Sequence, residues 1–94
     1  MVIDFAAAKA RRSAAARKKI EILDKKIAKA LEYRRSKLKI QRAFVAGYMG
    51  VPISYIQAYE DGKRPISATH LALYLQALKI EAEAFFDDIL PAVS

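Results

Sequence analysis

Neither glycine nor proline occurs between Met1 and Ala46, whereas all three glycines and all three prolines fall in the remainder of the chain. These are the two residues a helix interior tolerates least, so the first half is free to run as helix while the second is cut into short pieces. Ala, Lys, Arg, Leu and Glu dominate the opening segment, and all are strong helix formers. A long helix, or two helices meeting near Asp24, is expected there. On a 100° wheel Phe5, Ala16, Ile20, Leu23, Ile27 and Leu31 share one side. Arg11, Arg12, Lys18, Lys19, Lys25 and Lys26 recur at seven-residue steps on the other, which makes the segment a basic amphipathic helix. Asp4 is placed to cap its start, because a carboxylate there accepts an orphan backbone N–H.

The breakers divide the rest. Arg42 to Met49 reads as a helix with Val45 and Met49 inward, and Ile53 to Asp61 as the next, ended by Gly62 in a left-handed conformation. Pro65 and Ser67 mark a loop and the N-cap of a fourth helix, in which Leu71, Leu75 and Leu78 follow the i, i+4, i+7 spacing. A last helix spans about Glu81 to Leu90, and Pro91 begins a tail. No segment alternates with period two, so the fold class is all-α. Helix four is apolar at positions 71 to 75, 77 and 78, more than one buried face can use. A second surface must cover Leu73 and Tyr74, either the N-terminal helix or another subunit.

Charge is divided as unevenly as the breakers. Residues 1 to 49 hold fourteen Lys/Arg against four Asp/Glu, and residues 50 to 94 hold three against six, which together give the net +7. A polyanion is therefore met mainly by the N-terminal half, with Lys63 and Arg64 as the local exception; nucleic acid leads and an anionic membrane surface is the runner-up. The membrane reading is the weaker because the helix's apolar face is mostly alanine. A hydrophobic content of 54% in 94 residues suits one small domain and argues against a disordered chain. There is no cysteine, so disulfides and thiolate metal sites contribute nothing. No apolar run approaches the roughly 18 residues of a membrane span, nor does a signal-peptide core follow the N-terminus. The expected location is the cytoplasm, in association with the nucleoid.

The stretch Met49 to Arg64, MGVPISYIQAYEDGKR, joins these observations. A turn at Gly50 follows an apolar helix end, Ile56 and Tyr59 give the next helix an inward face, and two cations follow the stop at Gly62. This is the layout of a helix-turn-helix, whose second helix can lie in the major groove of DNA. Ala46 is small where two helices cross closely.

From about Asp24 to Ile89 the chain resembles the phage-repressor and Cro type of helix-turn-helix, the xenobiotic-response-element-like family of small bacterial and phage regulators. The resemblance rests on Leu31, Arg35, Val45-Ala46, Met49-Gly50-Val51, Ile56-Gln57, Tyr59-Glu60, Gly62-Lys63-Arg64, Ile66-Ser67-Ala68, Leu71, Ala77-Leu78 and Phe85-Phe86. It covers about two-thirds of the chain. It implies a five-helix domain that binds double-stranded operator DNA, commonly as a homodimer, and so a transcriptional regulator. On this reading residues 1–23 are a basic helical extension, 24–90 the domain and 91–94 a tail.

Ile53, Ser54, Gln57 and Ala58 are left to face outward and are the candidates for base contact. Gln57 suits adenine, Ser54 several bases, and Ile53 or Ala58 a thymine methyl. Arg42, Tyr55, Lys63 and Arg64, with Arg11, Arg12, Lys18 and Lys19 on the extension, are the candidates for the DNA backbone. The chain departs from the family where Gln41-Arg42 replaces a Thr or Ser followed by Gln, and where Pro52 replaces a capping Ser or Thr. Base readout is correspondingly thin, which moves affinity toward the basic half and specificity toward DNA shape or dimer spacing.

Catalysis finds no footing. The single histidine, His70, stands near a helix start without a Cys, Asp or Glu cluster, and Asp87-Asp88 are adjacent and point to different faces. Gly47, Gly50 and Gly62 form no phosphate-cradling loop. No enzyme activity, metal or cofactor is expected. The competing class is a protein-interaction module, an antitoxin or adaptor, that keeps this fold and engages a partner through helix four or the N-terminal helix.

Overall fold

The computed structural model describes residues 5–90, with side chains described from residue 16 onward; Asp4 and the tail 91–94 lie outside the described residues. Five helices follow one another: α1 (Phe5–Lys37), α2 (Arg42–Met49), α3 (Ile53–Glu60), α4 (Ala68–Leu78) and α5 (Ala82–Ile89), and no strand occurs among the described residues. The break near Asp24 does not form. With no glycine or proline to interrupt it, α1 continues for 33 residues, about 50 Å at 1.5 Å per residue.

Each helix contributes one fully buried side chain to the core: Leu31, Val45, Ile56, Tyr74 and Phe85. Burying side chains of this size removes enough apolar surface from water to contribute about 1.5–3 kcal/mol each. The core therefore consumes only the C-terminal part of the α1 stripe. Ile27 is half-buried and Leu31 fully so, joined by Ala28, while Ile20 is 57% exposed and Ala16 is exposed as well. The expected excess on α4 is resolved within the chain. Tyr74 is completely buried, its hydroxyl meeting the Leu31 carbonyl of α1 and Glu60 of α3, and Leu73 packs partly against the core, while α2 packs along α4.

Four helices end in the same way. At Lys39, Gly50, Gly62 and Lys79 the backbone turns left-handed, with φ of 58°, 70°, 72° and 57°. In each, an amide one position further on reaches back five residues: Ile40 to Arg35, Val51 to Ala46, Lys63 to Ala58 and Ile80 to Leu75. This is the Schellman motif, in which the residue after the left-handed one usually packs back onto the helix. Ile40, Val51 and Ile80 do so and are partly buried against the core. After α3 that position is Lys63, which stays exposed, so the same turn delivers a cation to solvent. Ser67 caps α4 as expected, its Oγ accepting from the His70 amide at 3.1 Å. Gln41 and Pro52 make no side-chain cap on α2 and α3.

Candidate nucleic-acid interface

α3 has an inward and an outward face, fixed by the spacing of its residues. Ile56, Tyr59 and Glu60 sit at i, i+3, i+4 and are buried. Ile53, Ser54 and Gln57 occupy the opposite side and are exposed, and Ala58 is half-buried at its margin. The α3 surface thus presents one amide, one hydroxyl and one branched apolar side chain.

Tyr55 stands at the edge of this face, half-buried, with its ring edge-on to Tyr59 at 6.4 Å between centroids. The Arg64 guanidinium lies over Tyr55, 4.3 Å from the ring centroid. This cation–π contact holds the guanidinium near the end of α3, leaving its N–H edge free to meet an anion. Lys63 is exposed beside it. Tyr59 links this edge to the interior, its hydroxyl 2.5 Å from His70 Nδ1. His70 is thereby a partner of the core tyrosine. No His/Cys/Asp/Glu group able to hold a metal occurs among the described residues.

Arg42 is less free than its position at the start of α2 suggests. Its Nε donates to Glu60 Oε1 at 2.9 Å, and its side chain is 34% exposed. Glu60 is the centre of the arrangement and its side chain has no exposure at all. Arg35 Nε donates to Oε2 at 2.7 Å and Arg35 Nη2 to Oε1 at 3.0 Å, a two-pronged contact. The Tyr74 hydroxyl donates to Oε2 at 2.6 Å, with the Leu31 carbonyl 3.2 Å away. Arg35 Nη1 also donates to the Ile40 carbonyl at 2.8 Å, tying the α1–α2 turn to the same cluster. Burial pushes the Glu60 carboxyl up, but the hydrogen bonds from Arg35, Tyr74 and Arg42 outweigh it and hold it below the ordinary glutamate value. The hydrogen bond to Glu60 raises Arg35 further above its ordinary value, and burial together with Glu60 raises Tyr74 well above its own. Four helices thus meet on one buried carboxylate, and Arg42 is oriented by it.

Sequence reasoning places Tyr59-Glu60 and Arg35 in the motif but gives Glu60 no role. The available signal is its spacing: Glu60 is i+4 from the inward Ile56, a charged residue on a buried face, which demands partners.

The α3–α4 turn packs against α1. A Cβ on Gly62 would come within 3.9 Å of the Ala28 side chain. Glu21, Asp24 and Lys25 of α1 line a shallow groove with Lys63 and Arg64. From this crossing α1 runs on toward its N-terminus for the residues Phe5 to Ile20, about 24 Å of helix. Lys18 and Lys19 are exposed there. Arg11 and Arg12 belong to the same helix, but their side chains lie outside the described residues. The structure therefore groups Ile53, Ser54, Gln57, Tyr55, Lys63 and Arg64 on one surface, sets Arg42 at the buried cluster and leaves Lys18 and Lys19 on the extension.

A sequence model of the helix-turn-helix family matches residues 31–85. Among solved structures, the wild-type restriction-modification controller protein C.Esp1396I is similar, with a TM-score of 0.67 and 19% identity over 71% of this chain and 87% of that one. The tetramer of that controller protein in complex with its natural 35 base-pair operator also aligns, with a TM-score of 0.67 and 19% identity over 71% of this chain and 88% of that one. At such identities the likeness is one of fold. No curated protein matches the sequence.

Proposed function

Because the chain belongs to the phage-repressor and Cro type of the helix-turn-helix family, we propose that it is a transcriptional regulator that lays α3 in the major groove of operator DNA. The observation that carries this reading is the exposed Ile53, Ser54 and Gln57 face, flanked by Lys63 and the Tyr55-stacked Arg64. Gln57 pairs with adenine and Ser54 with a neighbouring base edge, while Ile53 and Ala58 meet thymine methyl groups. Lys63, Arg64 and Tyr55 hold phosphates and set the angle of α3. Arg42 joins them through the part of its guanidinium that Glu60 does not occupy.

The extension, residues 1–23, adds sequence-independent affinity. Leaving the domain 24–90 beside the α3–α4 turn, it carries Lys18, Lys19, Arg11 and Arg12 along the DNA backbone. The active form is a homodimer that pairs two half-sites, a reading supported by the operator-bound tetramer of the similar controller protein. The role is regulatory and involves no catalysis or cofactor. No helix among the described residues is long and apolar enough to cross a membrane; the proposed binding of operator DNA is what places the protein in the cytoplasm, on the nucleoid. The Leu73 and Tyr74 face of α4 is disfavoured as a partner surface, since Tyr74 is fully buried and Leu73 packs partly against the chain's own core.

Genome-wide occupancy mapping tests the proposal. Sharp peaks sharing a sequence element are expected; a flat profile overturns the regulator reading.

A further inference from the structure

The apolar surface that sequence reasoning seeks on helix four lies elsewhere. Tyr33 and Leu38 near the end of α1, and Phe44 and Tyr48 on the outer side of α2, are all more than half exposed. Two open grooves run beside Tyr33, Leu38 and Phe44. One, of about 590 Å³, lies between α1 and α5 and includes Tyr33, Ile80 and Ile89; the other, of about 560 Å³, lies between the α1–α2 turn and the end of α4 and includes Phe44, Ala77 and Leu78. Leu38 lines both and joins them into one apolar track. The rim has a single dominant sign. Lys29, Arg34, Lys37, Lys39 and Lys79 border the track, and its one acid, Asp88, is already paired with Arg34.

We propose that this track binds an acidic amphipathic helix of a partner protein, its apolar side chains on Leu38 and Phe44 and its carboxylates among the lysines. An amphipathic helix in a groove is anchored by residues one turn apart, and opposite charges at the rim steer it and fix its register. A second copy meeting the same track across a two-fold axis brings lysine against lysine, which works against self-pairing. The chain's own acidic helix, α5, is not available to a neighbour, because Phe85 is fully buried and Phe86 and Ile89 pack against its own core. A DNA backbone matches the lysines but offers nothing to the exposed Tyr33, Leu38 and Phe44. Occupancy of this track is independent of the α3 surface, so the partner acts on a chain that still presents α3.

The test uses the full chain and a labelled synthetic helix of about 18 residues, about five turns. It carries leucine at i, i+3, i+4 and i+7 and glutamate along both flanks. Saturable binding is expected, with affinity reduced at least roughly tenfold when every glutamate is replaced by lysine, and again in the double variant Leu38→Ala, Phe44→Ala. Both side chains are half-exposed, so the variant is expected to melt near the parent temperature and to bind duplex DNA within about twofold of it. Failure of the acidic peptide to saturate, or equal binding of the lysine peptide, overturns the proposal without any variant. Loss of duplex affinity in the double variant reassigns the track to DNA. Conversion of a dimer to a monomer in that variant reassigns it to self-association. Either result overturns the proposal and leaves the role of α3 standing.

Discussion

Replacing Glu60 by glutamine keeps the shape of the side chain and removes its charge. In the native cluster Oε2 accepts from Arg35 and Tyr74, and Oε1 accepts from Arg35 and Arg42. Glutamine has one oxygen and one NH2 group. An amide nitrogen placed at Oε2 faces the Arg35 Nε–H, and one placed at Oε1 faces donors from both arginines, which have no acceptor to offer. Either orientation leaves a donor opposed to a donor around a site with no solvent exposure. Breaking a buried pair in this way costs about 3–5 kcal/mol, against a total stability of about 5–15 kcal/mol. For a chain of this size each kcal/mol moves the melting temperature about 4–8 °C, so Glu60→Gln should melt at least about 12 °C lower near pH 7. The pH dependence has a definite sign. The folded pKa of Glu60 lies below its ordinary value, so the unfolded chain binds its proton first. The native contribution is complete above about pH 4.3 and is lost as pH falls through the folded value. The gap between parent and variant should therefore narrow in acid. Denaturant unfolding at pH 7 and pH 3 checks both parts. A difference under about 1 kcal/mol at pH 7, or one that stays constant into acid, refutes the view that Glu60 is held as a charged, arginine-paired carboxylate.

Two further perturbations address the arm and the turn. Removing residues 1–23 should flatten the plot of log affinity against log salt by about 0.9 for each phosphate that the arm neutralises, measured by fluorescence anisotropy on duplex DNA. Because Ile27 is the first residue packed against the core, the shortened chain should unfold within a few tenths of a kcal/mol of the parent. Gly50→Ala should cost about 1–2 kcal/mol in chemical unfolding. A new Cβ there meets nothing within 4 Å, so the cost arises from the φ of 70° alone, and a neutral result dismisses backbone strain at this turn.

The positions of breakers and caps make most of the fold legible. Gly50 and Gly62 stand where the chain turns left-handed, Ser67 caps α4, and Leu31, Val45 and Ile56 are inward as their spacing implies. Lys39 and Lys79 are not legible, because a left-handed lysine leaves no compositional mark; only the apolar Ile40 and Ile80 that follow hint at the motif. The reach of α1 is ambiguous in the sequence because helix formers around Asp24 permit either a bend or continuation, and the chain continues. The outward face of α3 follows from periodicity alone. The Glu60 cluster does not, since its partners come from α1, α2 and α4 and meet only in three dimensions. The same holds for the apolar track, where Tyr33 and Leu38 at the end of α1 meet Phe44 of α2 across a turn whose geometry sequence spacing does not give.

The central claim is that α3 reads DNA through Gln57. It is tested most directly by the affinity of the parent and of Gln57→Ala for a duplex selected by the parent and for a random duplex of equal length. The substitution should cost about 1–3 kcal/mol on the selected duplex and leave the random one almost unchanged. Equal losses on both, or no loss on either, would contradict the assignment of Gln57 to a base edge.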